Sequence, residues 1–209
     1  MGRVGRRGGR LIDSAEVARF ATRLATYTPV VAAPWPEARW AAVAAVLRVV
    51  DEPELLFIKR AEAKHDPWSG HMAFPGGRQE PADQSLQATA MRETFEELSL
   101  YLACGRMLGQ LDDLAPRSPM LPPIIIRPFV ALVAPDVSFV LSREVAAVFW
   151  VPLSQLRATT ARTEHEISVS EMRTRLPAYR VQGHVVWGLT ERIVRQLLLM
   201  FDEAVSPEV

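Results

Sequence analysis

The sequence predicts a mixed α+β fold built on one core. Three observations lead there. Helix-periodic segments stand near both ends and in the middle of the chain. Short valine-rich runs, bounded by turn residues, lie between them. No internal repeat and no long linker divides the 209 residues. Hydrophobic residues make up 49% and charged residues 23%, enough to bury a core and unlike a disordered or collagen-like chain. We expect residues 1–12 to be a disordered Arg/Gly-rich leader and residues 13–209 to form one domain.

Asp13 followed by Glu16 resembles a capping box, and Val17, Phe20 and Leu24 share one helical face. The pattern predicts a helix over residues 14–26. Residues 28–36 are a proline-rich connection. The apolar run 41–50 ends at Asp51-Glu52-Pro53 and reads as a buried strand and a turn; residues 55–59 return as the second strand of a hairpin. Residues 61–70 are polar and break the pattern. Residues 71–74 predict a short strand stopped by Pro75-Gly76-Gly77. Residues 83–98 hold no Gly or Pro and predict a helix. A strand is expected within 103–114. Prolines 116, 119, 122 and 123 make 115–123 irregular, a substrate lid or a plain connector. Residues 124–133 form a strong strand, which Arg127-Pro128 marks as an edge or a bulge. A further strand is expected over 146–151, a short helix over 152–156 and weak strands at 167–169 and 178–181. The segment 188–201 closes as an amphipathic helix, with Ile193, Leu197 and Met200 on one face.

Lysine plus arginine number 24 and aspartate plus glutamate 24, so bulk charge gives no reason to expect nucleic acid. Arg3, Arg6, Arg7 and Arg10 crowd the first ten residues and leave the rest net acidic. The leader has no apolar signal core. The longest apolar runs, 40–47 and 145–153, fall far short of the roughly 20 residues a membrane span needs. A single cysteine, Cys104, excludes an internal disulfide and points to a reducing, cytoplasmic setting. With no motif around it, Cys104 is expected to be a small core residue, as are Trp150 and Trp187 in their apolar runs.

The chemistry concentrates in residues 74–100. Glu93, Glu96 and Glu97 stand three and four positions apart, which gathers three carboxylates on one helix face. Like charges about 6 Å apart repel by about 3 kcal/mol at an effective dielectric of about 20. A hard divalent cation such as Mg²⁺ or Mn²⁺, which takes oxygen ligands, reverses that sign. Arg92, four residues before Glu96, is placed to orient it. Pro75-Gly76-Gly77 supplies a sharp turn with little side-chain bulk just before the helix. The competing reading is a solvated acidic helix face, which would suffice for the Glu pair alone but not for the whole constellation.

These residues resemble the Nudix box, G-x5-E-x7-R-E-U-x-E-E-x-G-U with U apolar. Gly77 matches its glycine, Arg92-Glu93 its R-E, Glu96-Glu97 its E-E and Leu100 its last apolar site. Asp83 stands in place of the first Glu, one residue farther from Arg92 than in the pattern. Thr94 replaces an apolar residue and Ser99 the closing glycine, where a left-handed conformation costs a non-glycine about 1 kcal/mol. Farther afield the chain is similar to the coenzyme A pyrophosphatase branch. The matching stretches are Leu55-Leu56, Lys59-Arg60-Ala61, Gly70 with Phe74-Pro75-Gly76-Gly77, Arg127-Pro128-Phe129-Val130, Glu144-Val145, Val151-Pro152-Leu153 and Trp187-Gly188-Leu189-Thr190. The branch's basic residue between Arg60 and Gly70 is not cleanly present; the chain reads Lys64-His65-Asp66-Pro67-Trp68-Ser69 there.

The resemblance implies a Nudix fold, an α/β/α sandwich with a mixed β-sheet between helices. It implies hydrolysis of a nucleoside diphosphate derivative with Mg²⁺ or Mn²⁺. In the coenzyme A branch the products are 3′,5′-ADP and 4′-phosphopantetheine. It makes Glu93 and Glu97 the prime cation ligands, Glu96 a third ligand or the base, Arg92 a catalytic-site residue, and Gly76 and Gly77 the close approach to the ligand. Arg60, Arg78 and Arg127 are candidate phosphate clamps, each weighed evenly against a structural arginine. His65 and His71 are candidate ligands or bases, against the commoner hydrogen-bonded histidine. Trp68 is the candidate for stacking on an adenine. The alternatives are a pyrophosphatase for ADP-ribose or another nucleoside diphosphate derivative, and a non-catalytic nucleotide-binding module. A homodimer is expected on general grounds.

Overall fold

The computed structural model describes residues 14–64, 68–117, 121–169 and 172–205. The arginine-rich leader and His65 lie outside the described residues. Helix α1 is Ala15–Thr26. Strands β1, Arg39–Val49, and β2, Pro53–Arg60, pair antiparallel as the predicted hairpin, with Leu47 opposite Leu55. Then come β3, Met72–Ala73, β4, Gly76–Arg78, and helix α2, Leu86–Leu98. Strands β5, Arg106–Gln110, β6, Ile124–Leu132, and β7, Val145–Pro152, complete the first sheet. Helix α3 is Leu153–Arg157; β8, Arg162–Val169, β9, Met172–Val181, and β10, His184–Trp187, form a second, three-stranded antiparallel sheet. Helix α4, Gly188–Val205, ends the described chain.

The first sheet is mixed. β6 runs parallel to β1 along its length, and the other pairs are antiparallel. Side chains alternate across β1 with the period of a strand. Ala41, Ala45 and Leu47 join a core with Phe20 of α1 and Ile193 and Phe201 of α4. Ala42, Ala44 and Val46 join a second core with Ala90 and Leu98 of α2. Helices α1 and α4 therefore cover one face and α2 the other, which is the α/β/α sandwich. Both faces of β1 are buried, which is why its sequence is a continuous apolar run.

One irregularity positions the site. β2 follows β1 only from Pro53 to Leu55 and then leaves it, while its other edge stays paired to β7 as far as Arg60. The stretch from β3 to β4 fills the gap: Ile58 pairs with Ala73, and Ala42 with Gly77. The turn at Pro75-Gly76-Gly77 thus continues as a paired strand rather than stopping one.

Several boundaries differ from expectation, for physical reasons. The cap of α1 is Ser14, whose hydroxyl accepts from the Val17 N–H; Asp13, the residue of the expected capping box, lies outside the described residues. Helix α2 starts at Leu86 behind the Ser85 cap, which leaves Asp83 in the preceding turn. β6 is central, not an edge. The Pro128 carbonyl accepts from the Leu111 N–H, and its donorless nitrogen faces the same flank, beyond the last β5 pair at Phe129. The weak signals at 167–169 and 178–181 are parts of β8 and β9, whose exposed outer faces dilute the apolar pattern. Cys104 is exposed, because Leu102 takes the buried position of its 3₁₀ turn. Trp187 is half-buried, flanked by the rings of His71 and His165 at 4.9 and 4.4 Å. Trp150 is half-buried beneath the Arg48 guanidinium, 4.3 Å from the ring centre.

Candidate active site

The site forms where the C-terminal half of α2 meets β4. Helix α2 buries Ala90, Thr94 and Leu98, and that fixes its rotation. Thr94 stands where an apolar residue was expected, yet it is fully buried; its hydroxyl donates to the Ala90 carbonyl at 2.7 Å, which satisfies it within the helix. Ser99 closes α2 in the left-handed region at φ 53°, with its N–H on the Phe95 carbonyl at 2.7 Å.

The rotation turns Glu97 inward. Its side chain is 5% exposed and accepts from the Gly76 N–H at 3.0 Å, with Arg60 3.9 Å away. Burial pushes its carboxyl up to about 8, against the Gly76 N–H and Arg60, and the charges of Glu93 and Glu144 push the same way. Glu93 is also raised by burial, partly offset by Arg92. Its carboxylate occupies the space where a Cβ on Gly77 would stand. The glycine admits a carboxylate of this chain to the turn. Gly76 is needed for the backbone: at φ 153° it lies against the Ala42 carbonyl and Val43 of β1.

Arg92 ties the face together. Its Nη1 donates to Glu93 and Glu96, each at 3.0 Å, and Nη2 donates to the Arg78 carbonyl at 3.0 Å. Asp83 grips the guanidinium from behind with both oxygens, at 3.0 and 2.9 Å, and takes the Thr89 hydroxyl and the Glu80 N–H as well. These donors hold the Asp83 carboxyl well below the usual carboxylate range and lift Arg92 higher still. Asp83 therefore anchors Arg92, and Arg92 in turn braces Glu93 and Glu96. Glu96 is the exposed member at 54%.

Among the basic candidates, Arg60 reaches the carboxylates. Arg78 contributes its carbonyl, and its side chain is exposed. Arg127 pairs bidentately with Asp113, at 2.8 Å on both nitrogens, and lies 5.2 Å from the Trp40 ring centre. In this structure the fork is taken by Asp113, which is the structural one of the two readings weighed evenly for Arg127. His71 packs on Trp187, and Trp68 is half-buried beside it, its carbonyl accepting from the His71 N–H.

The residue that sequence reasoning left without a role is Glu144. It belongs to the segment leading into β7, whose backbone crosses the end of α2. Ser142 N–H donates to the Glu97 carbonyl, and Ala61 N–H to the Glu144 carbonyl. The only signal in the sequence was its place in a matching stretch.

Among the described residues, no three His, Cys, Asp or Glu side chains are gathered at ion-holding distance. The donors still fit a hard divalent cation. Mg²⁺ keeps several waters and binds through one or two carboxylates plus substrate phosphates. Glu93 and Glu97 offer two carboxylates from one helix face beside a glycine turn, and burial leaves Glu97 short of positive charge.

A family model described as the NUDIX domain matches residues 38–172. An uncharacterized Nudix hydrolase NudL from Photorhabdus laumondii is 34% identical over 156 residues, covering 74% of this chain and 81% of that protein. A NudL from Yersinia pestis is 34% identical over 149 residues, covering 70% and 71%. The crystal structure of a MutT/nudix family protein from Enterococcus faecalis superposes with a TM-score of 0.50 at 16% identity, covering 86% of this chain and 67% of that one. That last likeness bears on the fold alone.

Proposed function

Because the chain belongs to the Nudix family and is a Nudix pyrophosphohydrolase, we propose that it cleaves the pyrophosphate bond of coenzyme A or its derivatives to 3′,5′-ADP and 4′-phosphopantetheine. The observation that carries this reading is the carboxylate pair Glu93 and Glu97, set against the Gly76-Gly77 turn with Arg60 on its rim. The coenzyme A assignment rests on the stretch from Lys59-Arg60-Ala61 through Gly70 to Gly77, which leads from β2 into this site.

Glu93 and Glu97 would hold a divalent cation, Mg²⁺ or Mn²⁺, with Glu96 as a third carboxylate. Such a cation neutralises phosphate oxygens and lowers the pKa of water bound to it. Arg92 keeps Glu93 and Glu96 aimed at the site and is itself held by Asp83. Arg60 offers positive charge to an incoming diphosphate, and Gly76 and Gly77 let that group approach the backbone.

The test is mass spectrometry of products from coenzyme A with Mg²⁺ or Mn²⁺, using wild type and Glu97→Gln. We expect both predicted products from wild type and none from the variant, with unchanged circular dichroism. Near-wild-type turnover by the variant would sink the assignment of Glu97. Cleavage of ADP-ribose but not coenzyme A would move the substrate and leave the site roles standing.

A further inference from the structure

Most strand edges in this fold are short, shifted in register or covered; that of β8 is not. β3 and β10 are two and four residues long. β5 carries a register shift and is met by Leu24 of α1 at Gly109. The pairing of β7 shifts register near its start, and the Gln182 amide donates to the Trp150 carbonyl at 2.8 Å. Shortness, bulges and cover keep a sheet edge from recruiting another strand. β8 has none of these. It runs 8 residues in unbroken register with β9 and holds no Gly, Pro or Lys. Its other edge pairs with no strand among the described residues.

The β9–β10 turn fixes which backbone groups face that edge. Val181 pairs with His184 across Gln182-Gly183, both at positive φ, so the N–H and C=O of Val181 face β10. The direction alternates along a strand. Leu176 and Ala178 therefore bond β8, through their partners His165 and Thr163. Pro177 turns its donorless nitrogen to the flank that β10 leaves open beyond Trp187, which blunts that side of β9. On β8 the alternation points the N–H and C=O of Arg162, Glu164, Glu166 and Ser168 outward, and all four residues are exposed. Beyond Ala178 the ribbon has only β8 and β9, and two strands alone are marginally stable in water.

We propose that this edge pairs antiparallel with β8 of a second copy of the chain, about a two-fold axis at Glu164, joining the two three-stranded sheets into one. A two-fold pairing presents the same surface on both copies and closes as a dimer. Charge selects the register. With Glu164 on the axis, Arg162 of each copy lies opposite Glu166 of its partner. Arg175, 3.7 Å from Glu164 in its own chain, offsets the two carboxylates that meet on the axis. Moving the axis to His165 would set Glu164 against Glu166 on both sides, which repels. Exposed ion pairs are worth little singly, so the backbone bonds supply the affinity and the charges the alignment.

The experiment is sedimentation velocity of the full chain over a concentration series without substrate, so it does not depend on the function proposed above. Wild type should approach twice its 23.3 kDa as concentration rises. Glu164→Pro removes an outward N–H and no bond to β9; it should stay monomeric with unchanged circular dichroism. Should that variant misfold, charge reversal tests the same edge. Arg162→Glu and Glu166→Arg should each raise the dimer dissociation constant about tenfold or more, and the two together should restore it to within about threefold of wild type. Oxidative cross-linking in a Cys104→Ser background checks the axis: Glu164→Cys should give a covalent dimer and His165→Cys should not. Wild type that stays monomeric at every concentration overturns the proposal in favour of an extended segment of another protein. So does a dimer that survives a folded Glu164→Pro, one whose dissociation constant neither reversal changes, or one that cross-links through His165→Cys instead.

Discussion

Two neighbouring glycines do different work, and substitution separates them. At Gly77 a Cβ would meet the far end of the flexible Glu93 side chain, which can move aside at the cost of its Arg92 hydrogen bond. At Gly76 it would meet the Ala42 carbonyl and the Val43 backbone, which cannot, and the φ of 153° adds strain. Gly77→Ala should therefore fold with nearly the wild-type melting temperature while turnover falls by about a hundredfold, since a displacement of about 1 Å at a reacting group costs that much. Gly76→Ala should lose stability first. Thermal unfolding and kinetics measured together check this, and an active Gly77→Ala would remove the need for Glu93 at that exact place. The sequence alone pointed to Gly77 as a close approach of backbone to ligand. It did not show that a carboxylate of the same chain already fills that space, because Glu93 lies on a different element.

At the scale of elements, α2 works as a bracket whose fixed point is Asp83. The pair with Arg92 is largely buried, with side chains 5% and 21% exposed, so it exceeds the worth of a surface ion pair. Arg92 keeps Glu93 and Glu96 if Asp83 is lost, which limits the damage; we expect Asp83→Asn to cost about 2 kcal/mol at neutral pH. The folded protein holds the Asp83 carboxyl below its ordinary 3.8. Its contribution is therefore complete above that value and is lost as pH falls through it toward the folded value. Urea unfolding of wild type and Asp83→Asn should show a gap at pH 7 that begins to narrow only below pH 3.8 and is clearly smaller at pH 2; an equal gap at pH 7 and pH 2 would assign the loss to packing. The helix and its carboxylates were legible because their spacing is local. The rim carrying Glu144 was not, since pairing of β7 with β2 brings it there from far along the chain. Arg127 shows the same limit: its partner Asp113 could not be read from spacing. Pro128 looked like an edge or bulge signal, but in a central strand a proline needs only one position where no partner carbonyl calls for its missing N–H.

The whole molecule is a sheet clamped between unlike layers, and the layer that carries no chemistry supports the one that does. Helices α1 and α4 meet through the rings of Phe20 and Phe201, 5.0 Å apart and both fully buried. Leu24 extends that contact onto β5, where it lies against Gly109. An Arg23–Glu203 ion pair also joins the two helices, but both side chains are about half exposed, so solvent screens it and apolar burial dominates. Phe20→Ala should accordingly cost about 3–5 kcal/mol in urea unfolding, the range for a large aromatic removed from a packed core. If α1 belongs to the same cooperative unit as the sheet, far-ultraviolet dichroism and tryptophan fluorescence should report one shared, shifted transition. The remaining folded fraction should keep the wild-type KM, because the helix packs on the face opposite the carboxylates. Two separate transitions, or a loss below about 1 kcal/mol, would make α1 a detachable appendage and confine the structural unit behind the site to the segment that begins at β1.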